Sequence, residues 1–262
     1  MAACVPLSPQ ALGHRDFDAC VAVLTQNHNW AVLWALTARA EIWWALSAPT
    51  YRRLLEEAVK ANQVGLLTRG LDSNNMVHSA DLARLAQLAA LAGSALCLQH
   101  LVSVHGWTLL QEGLVPALTN VVRHSSQALA VLRAVQPHFV DYLRCLIQKP
   151  DKAAFCCAVQ LAQSKPESCL LSAENKDNLI TFALRGQAFD FAELLWGVLP
   201  EEHRTKCHAN YLTRGLPSSW RTQAVELLTA APEPQPLAAA AQSQEAAADL
   251  AAYFLESVNR AN

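Results

Sequence analysis

Charge is scarce in this chain, and so is any sustained signal for a β-strand. Acidic and basic residues make up 16% of its 262 residues and nearly balance, leaving a formal net charge of −2. Beyond the adjacent pair Arg52-Arg53 there is no basic cluster, and Glu56-Glu57 follows that pair one turn later. This is the pattern of a solvated helix face with i,i+4 pairing. Duplex binders draw most of their affinity from neutralised phosphates, so no nucleic-acid partner is expected. Val/Ile/Thr alternation between turns is missing, and Gly-based hairpin dipeptides are few. No run of roughly 18 apolar residues occurs, so no membrane span is expected. There is no Walker sequence, no dinucleotide fingerprint after a strand and no Gly-x-Ser-x-Gly elbow. Met1-Ala2-Ala3-Cys4-Val5-Pro6 lacks the basic start and long apolar stretch of a signal peptide.

What is present is apolar and helical in pattern. Hydrophobic residues reach 52%, so ordered structure is expected over most of the chain. Ala and Leu dominate, and both favour helices. Leu82, Leu85, Ala86, Ala89 and Ala90 form one stripe at three- and four-residue spacing; Leu179, Phe182 and Ala183 form another. Gly, Ser, Asn and Pro interrupt often, which predicts short helices. The eight cysteines sit inside apolar runs such as Ala19-Cys20-Val21 and Leu96-Cys97-Leu98. Free cysteine behaves as a small buried hydrophobe, which points to a reducing compartment. The expected location is cytoplasmic, in the host cytoplasm if the chain comes from a pathogen.

Several segments repeat one theme: a helix rich in small residues, a tight polar turn, then a Leu-rich helix. Ala89-Ala90-Leu91-Ala92-Gly93 leads into Cys97-Leu98 and Leu101-Val102, then Gly106. Phe182-Ala183-Leu184-Arg185-Gly186 leads into Phe191-Ala192-Glu193-Leu194-Leu195, and Leu212-Thr213-Arg214-Gly215 into Ala224-Val225-Glu226-Leu227-Leu228. Further copies turn near Gly13, Asn62, Ser125 and Lys165. Such spacing points to stacked helix pairs, because a single pair cannot bury both of its faces.

This pattern resembles the ankyrin repeat across about residues 8 to 230. Ala89-Ala90-Leu91-Ala92-Gly93 is similar to that family's Ala-Ala-x-x-Gly turn, followed by its apolar second helix. Ala183 and Gly186 with Leu194-Leu195 give a second partial match. The family's Thr-Pro-Leu-His opening is absent, and Arg84-Leu85-Ala86-Gln87 stands where it would precede Ala89. The resemblance implies an all-α solenoid of helix-turn-helix pairs over residues 1–230. Ala231-Pro232-Glu233-Pro234-Gln235-Pro236 begins an extended linker, 231–237. Residues 238–262 form an Ala-rich C-terminal helix or cap, with Ala247, Leu250, Ala251, Phe254 and Leu255 on one face.

Candidate chemistry is weighed against plainer roles. Cys156, Cys157, Cys169, His203, Cys207 and His208 invite a zinc site, but only His203-x3-Cys207 has an acceptable spacing. Adjacent Cys156 and Cys157 diverge by about 100° on a helix. Ser125-Ser126 after His124 falls at a turn, where polar residues cap helices more often than they catalyse. Glu56-Glu57 and Glu201-Glu202 fit helix-end electrostatics. No catalytic residue, metal or cofactor is therefore expected. Trp30, Trp34, Trp43 and Trp44 crowd the N-terminal quarter, and tryptophan is enriched where interfaces concentrate their energy. Trp43 and Trp44, being adjacent, cannot both face one core. The turn residues His14, Arg15, His124, Arg185, Arg214 and Trp220 are the other candidates for a partner-binding face.

The resulting expectation is a non-enzymatic protein–protein interaction module that binds a protein partner through its solenoid surface. Two alternatives stand beside it. One is a structural or accessory protein acting through homo-oligomerisation; the other is an effector enzyme with an unrecognised helical active site.

Overall fold

The structure is a computed structural model that describes residues 14–38, 40–73, 78–164, 170–200 and 202–204. Among them there are helices and turns and no strand, in line with the all-α expectation. The expected linker and C-terminal helix, 231–262, lie outside the described residues, as do the turns placed near Gly13, Lys165 and Gly215. No described helix is long and apolar enough to cross a membrane.

The chain divides into two compact units, one ending at Leu118 and the other beginning at Thr119. The first contains α1 (His14–Gln26), α2 (Trp30–Leu36), α3 (Ala40–Ala45), α4 (Ala48–Lys60), α5 (Val64–Ser73), α6 (Ser79–Leu91) and α7 (Ala95–His105). The boundary falls inside α8 (Trp107–His124). Helices pair as α1–α2, α4–α5 and α6–α7; α4 packs against both α1 and α6, and α5 against both α3 and α7. Apolar residues at three- and four-residue spacing supply the buried faces. On α4 these are Tyr51, Leu54, Leu55, Ala58 and Val59; on α6, Leu82, Leu85, Ala86, Ala89 and Ala90. The three buried alanines of α6 let neighbouring backbones approach closely.

The corners between paired helices share one geometry. At His28, Asn62 and Gly93 the backbone turns left-handed, with φ of 52°, 54° and 70°. The next residue then donates its N–H five residues back: Asn29 to the Leu24 carbonyl, Gln63 to Ala58 and Ser94 to Ala89, at 2.8–2.9 Å. This is a Schellman closure, which satisfies a carbonyl that the helix end leaves unpaired. Neighbouring pairs are then tied through the corner itself. The Asn62 carboxamide accepts the Cys97 N–H in the first turn of α7 at 3.2 Å, and Ser94 Oγ donates to the Lys60 carbonyl at 3.3 Å.

The second unit contains the last turn and a half of α8, then α9 (Ala128–Ala134), a short 3-10 turn (Gln136–His138), α10 (Phe139–Gln148), α11 (Lys152–Ser164), α12 (Ala173–Arg185) and α13 (Phe189–Gly197). Helix α10 packs on α11 and α12, and α12 pairs with α13. Its core gathers Phe139, Tyr142, Leu143, Phe155 and Leu195, with Phe155 and Phe191 edge to face at 5.0 Å. The corner geometry recurs between α12 and α13. Gln187 has φ 59°, and the Ala188 N–H reaches the Ala183 carbonyl at 2.8 Å.

The expected turn positions near Asn62, Gly93 and Gly186 coincide with these corners. His14 and Arg15 lie in the first turn of α1, and the corner between α1 and α2 is at His28. The Asn27-His28-Asn29 sequence lacks a glycine; the His28 N–H donates to the Thr25 carbonyl at 3.1 Å beside the closing bond from Asn29.

Three of the four corners place a side chain where glycine costs least. Gly93→Ala is expected to lower the unfolding free energy by about 1–2 kcal/mol, the penalty of left-handed backbone for an L-residue. Gln187→Gly is expected to raise it by up to about 1 kcal/mol for the same reason. Urea unfolding of the two variants beside the parent chain checks both signs.

Candidate functional site

The clearest concavity forms within the first unit, where α3, α4 and the start of α6 meet. It is a cavity of about 370 Å³. Its apolar wall comes from Trp43 and Leu46, from Tyr51 and Leu55 on α4, and from Leu85 on α6; Trp44 stands beside them. Arg52 and Glu56 on α4, with His78, Asp81 and Arg84 at the start of α6, supply the polar groups. A mostly apolar concavity of this size with a few convergent polar groups is the usual form of a recognition site.

Adjacent tryptophans divide the work of this site. Trp43 is 1% exposed and Trp44 is 61% exposed. The Trp43 indole N–H donates to the Thr37 carbonyl at 3.1 Å, and its ring meets Tyr51 edge-on at 6.0 Å. Its face lies over Gly70 of α5, where an added Cβ would stand 3.0 Å from the Trp43 ring and 2.5 Å from Leu55. Gly70 also accepts the Tyr51 hydroxyl at its carbonyl, at 3.1 Å. Gly70 thus leaves room for the Trp43 ring and orients Tyr51 through its carbonyl. Burial, with the Asp81 carboxylate as a lesser contribution, pushes the Tyr51 phenol up to about 12, so it acts as a neutral donor at neutral pH.

The charged groups pair across the gap between α4 and α6. Arg52 Nε lies 3.6 Å from Asp81, and Arg84 Nη2 lies 3.0 Å from Glu56. Both pairs are solvated, a class that contributes about 0–1 kcal/mol; they shape the rim more than they hold the fold.

The other candidates are placed differently. Trp34, 43% exposed, lies against α5: the Arg69 guanidinium stacks over its ring at 3.2 Å, and Arg69 Nη1 donates to its carbonyl at 2.9 Å. Trp30 is half-buried, its ring 5.6 Å from that of His28. His124 and Arg185 are exposed at the ends of α8 and α12. His14 and Arg15 begin α1, and Arg214 and Trp220 lie outside the described residues. Among the described candidates, the structure brings Trp43 and Trp44 into the cavity. Sequence reasoning passed over Tyr51, Asp81 and Arg84 as site residues, and read Arg52 and Glu56 as neighbours on one solvated face. No local motif links α4 with α6; the acid–base complementarity across them appears only once they pack.

The groups weighed for catalysis and metal binding lead elsewhere. Ser125 Oγ accepts the Gln127 N–H at 3.1 Å, closing the turn after α8. Burial pushes the Cys97 thiol up to about 11 and shifts Cys156 and Cys157 in the same direction, which disfavours their thiolates. Cys169, Cys207 and His208 lie outside the described residues.

Gly70→Ala is expected to lower stability by about 1–3 kcal/mol through overpacking against Leu55 and Trp43, read as an earlier midpoint in urea. The raised Tyr51 phenol carries a second expectation. Between pH 10 and about 12 the unfolded chain sheds a proton that the folded chain keeps, so stability falls as pH rises through that window. Tyr51→Phe should remove that part of the slope and lower stability at neutral pH by about 1 kcal/mol, the worth of one hydrogen bond; unfolding at a series of pH values tests both. Set against protein-family models, curated proteins and solved structures, the chain matches none, so the site stands on its own residues.

Proposed function

We propose that the chain is a non-enzymatic protein–protein interaction module, built of helix pairs stacked in the manner of the ankyrin family, and that the cavity beside Trp44 seats an apolar side chain of its protein partner. The observation that carries this reading is the exposure of Trp44, 61%, at a cavity of about 370 Å³ floored by buried aromatic rings. A large indole left in water beside an apolar concavity gains by being covered, and such residues concentrate binding energy. The ankyrin-like part of the reading is supported by the corners: four share one left-handed residue and one closing bond, three of them in succession. The free thiols of Cys20, Cys97, Cys145, Cys156 and Cys157, buried or half-buried in apolar helices, support work in a reducing, cytoplasmic setting.

The test uses the full chain as bait and Trp44→Ala as its control. A partner purified by capture on the parent chain should bind it stoichiometrically in calorimetry. The Trp44→Ala chain, with unchanged helical content and unfolding midpoint, should bind at least about tenfold more weakly, the loss expected of an interface anchor. Equal affinities for the two chains would remove the cavity from the interface.

A further inference from the structure

The rim charges sum to nothing, yet they are not equally placed. In the Arg52–Asp81 pair the side chains are 59% and 29% exposed, and in the Arg84–Glu56 pair 69% and 24%. The carboxylates are recessed and the guanidiniums stand outermost. A guanidinium has five N–H donors. Arg52 turns only Nε toward Asp81, at 3.6 Å, beyond hydrogen-bond range, and Arg84 gives Glu56 a single Nη2 contact. Among the described residues no further acceptor meets either group. Most of their donors therefore face solvent at the mouth of an apolar cavity.

Their spacing is set by the helices. Arg52 and Glu56 are four residues apart on α4, and Asp81 and Arg84 three apart on α6. The crossed pairing therefore places the two guanidiniums on opposite walls of the mouth, one from α4 and one from α6. Two carboxylates four apart on a helix, or two apart on an extended strand, share one face of a short segment and can be presented together to that mouth. Resting on the protein-recognition reading above, we infer that the cavity binds an acidic peptide segment of the partner: a large apolar residue enters beside Trp44 while two flanking carboxylates take the unspent donors of Arg52 and Arg84. A basic segment fits less well, because it meets the outer guanidiniums before it can reach the recessed carboxylates. Arginine forks favour carboxylates in planar, two-point contact.

Selection of random displayed peptides of about twelve residues on the full chain tests this. The enriched sequences should carry two acidic residues within four positions of Phe, Trp or Leu. A fluorescently labelled peptide of that consensus should bind in anisotropy titrations and weaken as salt rises. The double variant Arg52→Glu with Arg84→Glu should lose at least about tenfold in affinity for it and, on fresh selection, enrich basic peptides instead. If that variant fails to melt cooperatively, Arg52→Gln with Arg84→Gln replaces it, with the same loss expected. A basic or purely apolar consensus overturns the inference, and so does an acidic peptide that binds the double variant equally well. Peptides without acids that still depend on Trp44 would sink this inference and leave the interaction module standing; no enrichment at all would count against both.

Discussion

Four helical corners, at His28, Asn62, Gly93 and Gln187, share a left-handed residue followed by an N–H that closes five residues back. A helix end leaves carbonyls without partners, and at these corners a positive φ brings the N–H five residues on to one of them. Gly93 meets that demand without strain. Asn62 is among the residues that tolerate it best, while His28 and Gln187 hold it under the closing bond. Once the corner closes, the second helix is aimed back along the first and their small and apolar faces must meet. The buried alanines of α6 and the Leu-rich face of α7 follow from that direction.

The cavity is a by-product of stacking pairs that are not identical. Between the first pair and the second, the chain inserts the short helix α3, and its Trp43 fills space beside α4 and α5. Trp43 and Tyr51 both need a polar partner when buried, and they find carbonyls at Thr37 and Gly70. Holding those rings costs the site a Cβ at position 70 and leaves the following residue, Trp44, on the solvent side, since successive helical residues diverge by about 100°. The exposed indole is thus tied to the buried one by helical geometry. The carboxylates and guanidiniums of α4 and α6 then complete a mouth that has apolar depth and a charged edge.

Parts of this were legible along the chain. Helices were written in the Ala/Leu composition and three- and four-residue stripes, and the corners at Asn62, Gly93 and Gly186-Gln187 in a run of small residues ending in a turn former. The His28 corner was not legible because Asn27-His28-Asn29 carries no glycine, while its left-handed residue shows only in the backbone. The tryptophan cluster included Trp43 and Trp44 but did not separate them from Trp30 and Trp34. Trp34 is held under Arg69, whereas Trp43 and Trp44 line the cavity.

Composition and periodicity by themselves determined the secondary structure and several of its corners, because helix propensity and corner closure are settled within a few neighbouring residues. Only the tertiary structure decided which tryptophan is buried and which is exposed, that Gly70 makes room for Trp43 and accepts from Tyr51, and that Arg52 meets Asp81 while Glu56 meets Arg84. Those pairings join positions on different helices, and their energy depends on burial and distance in space. Neither quantity exists until α3, α4, α5 and α6 are packed.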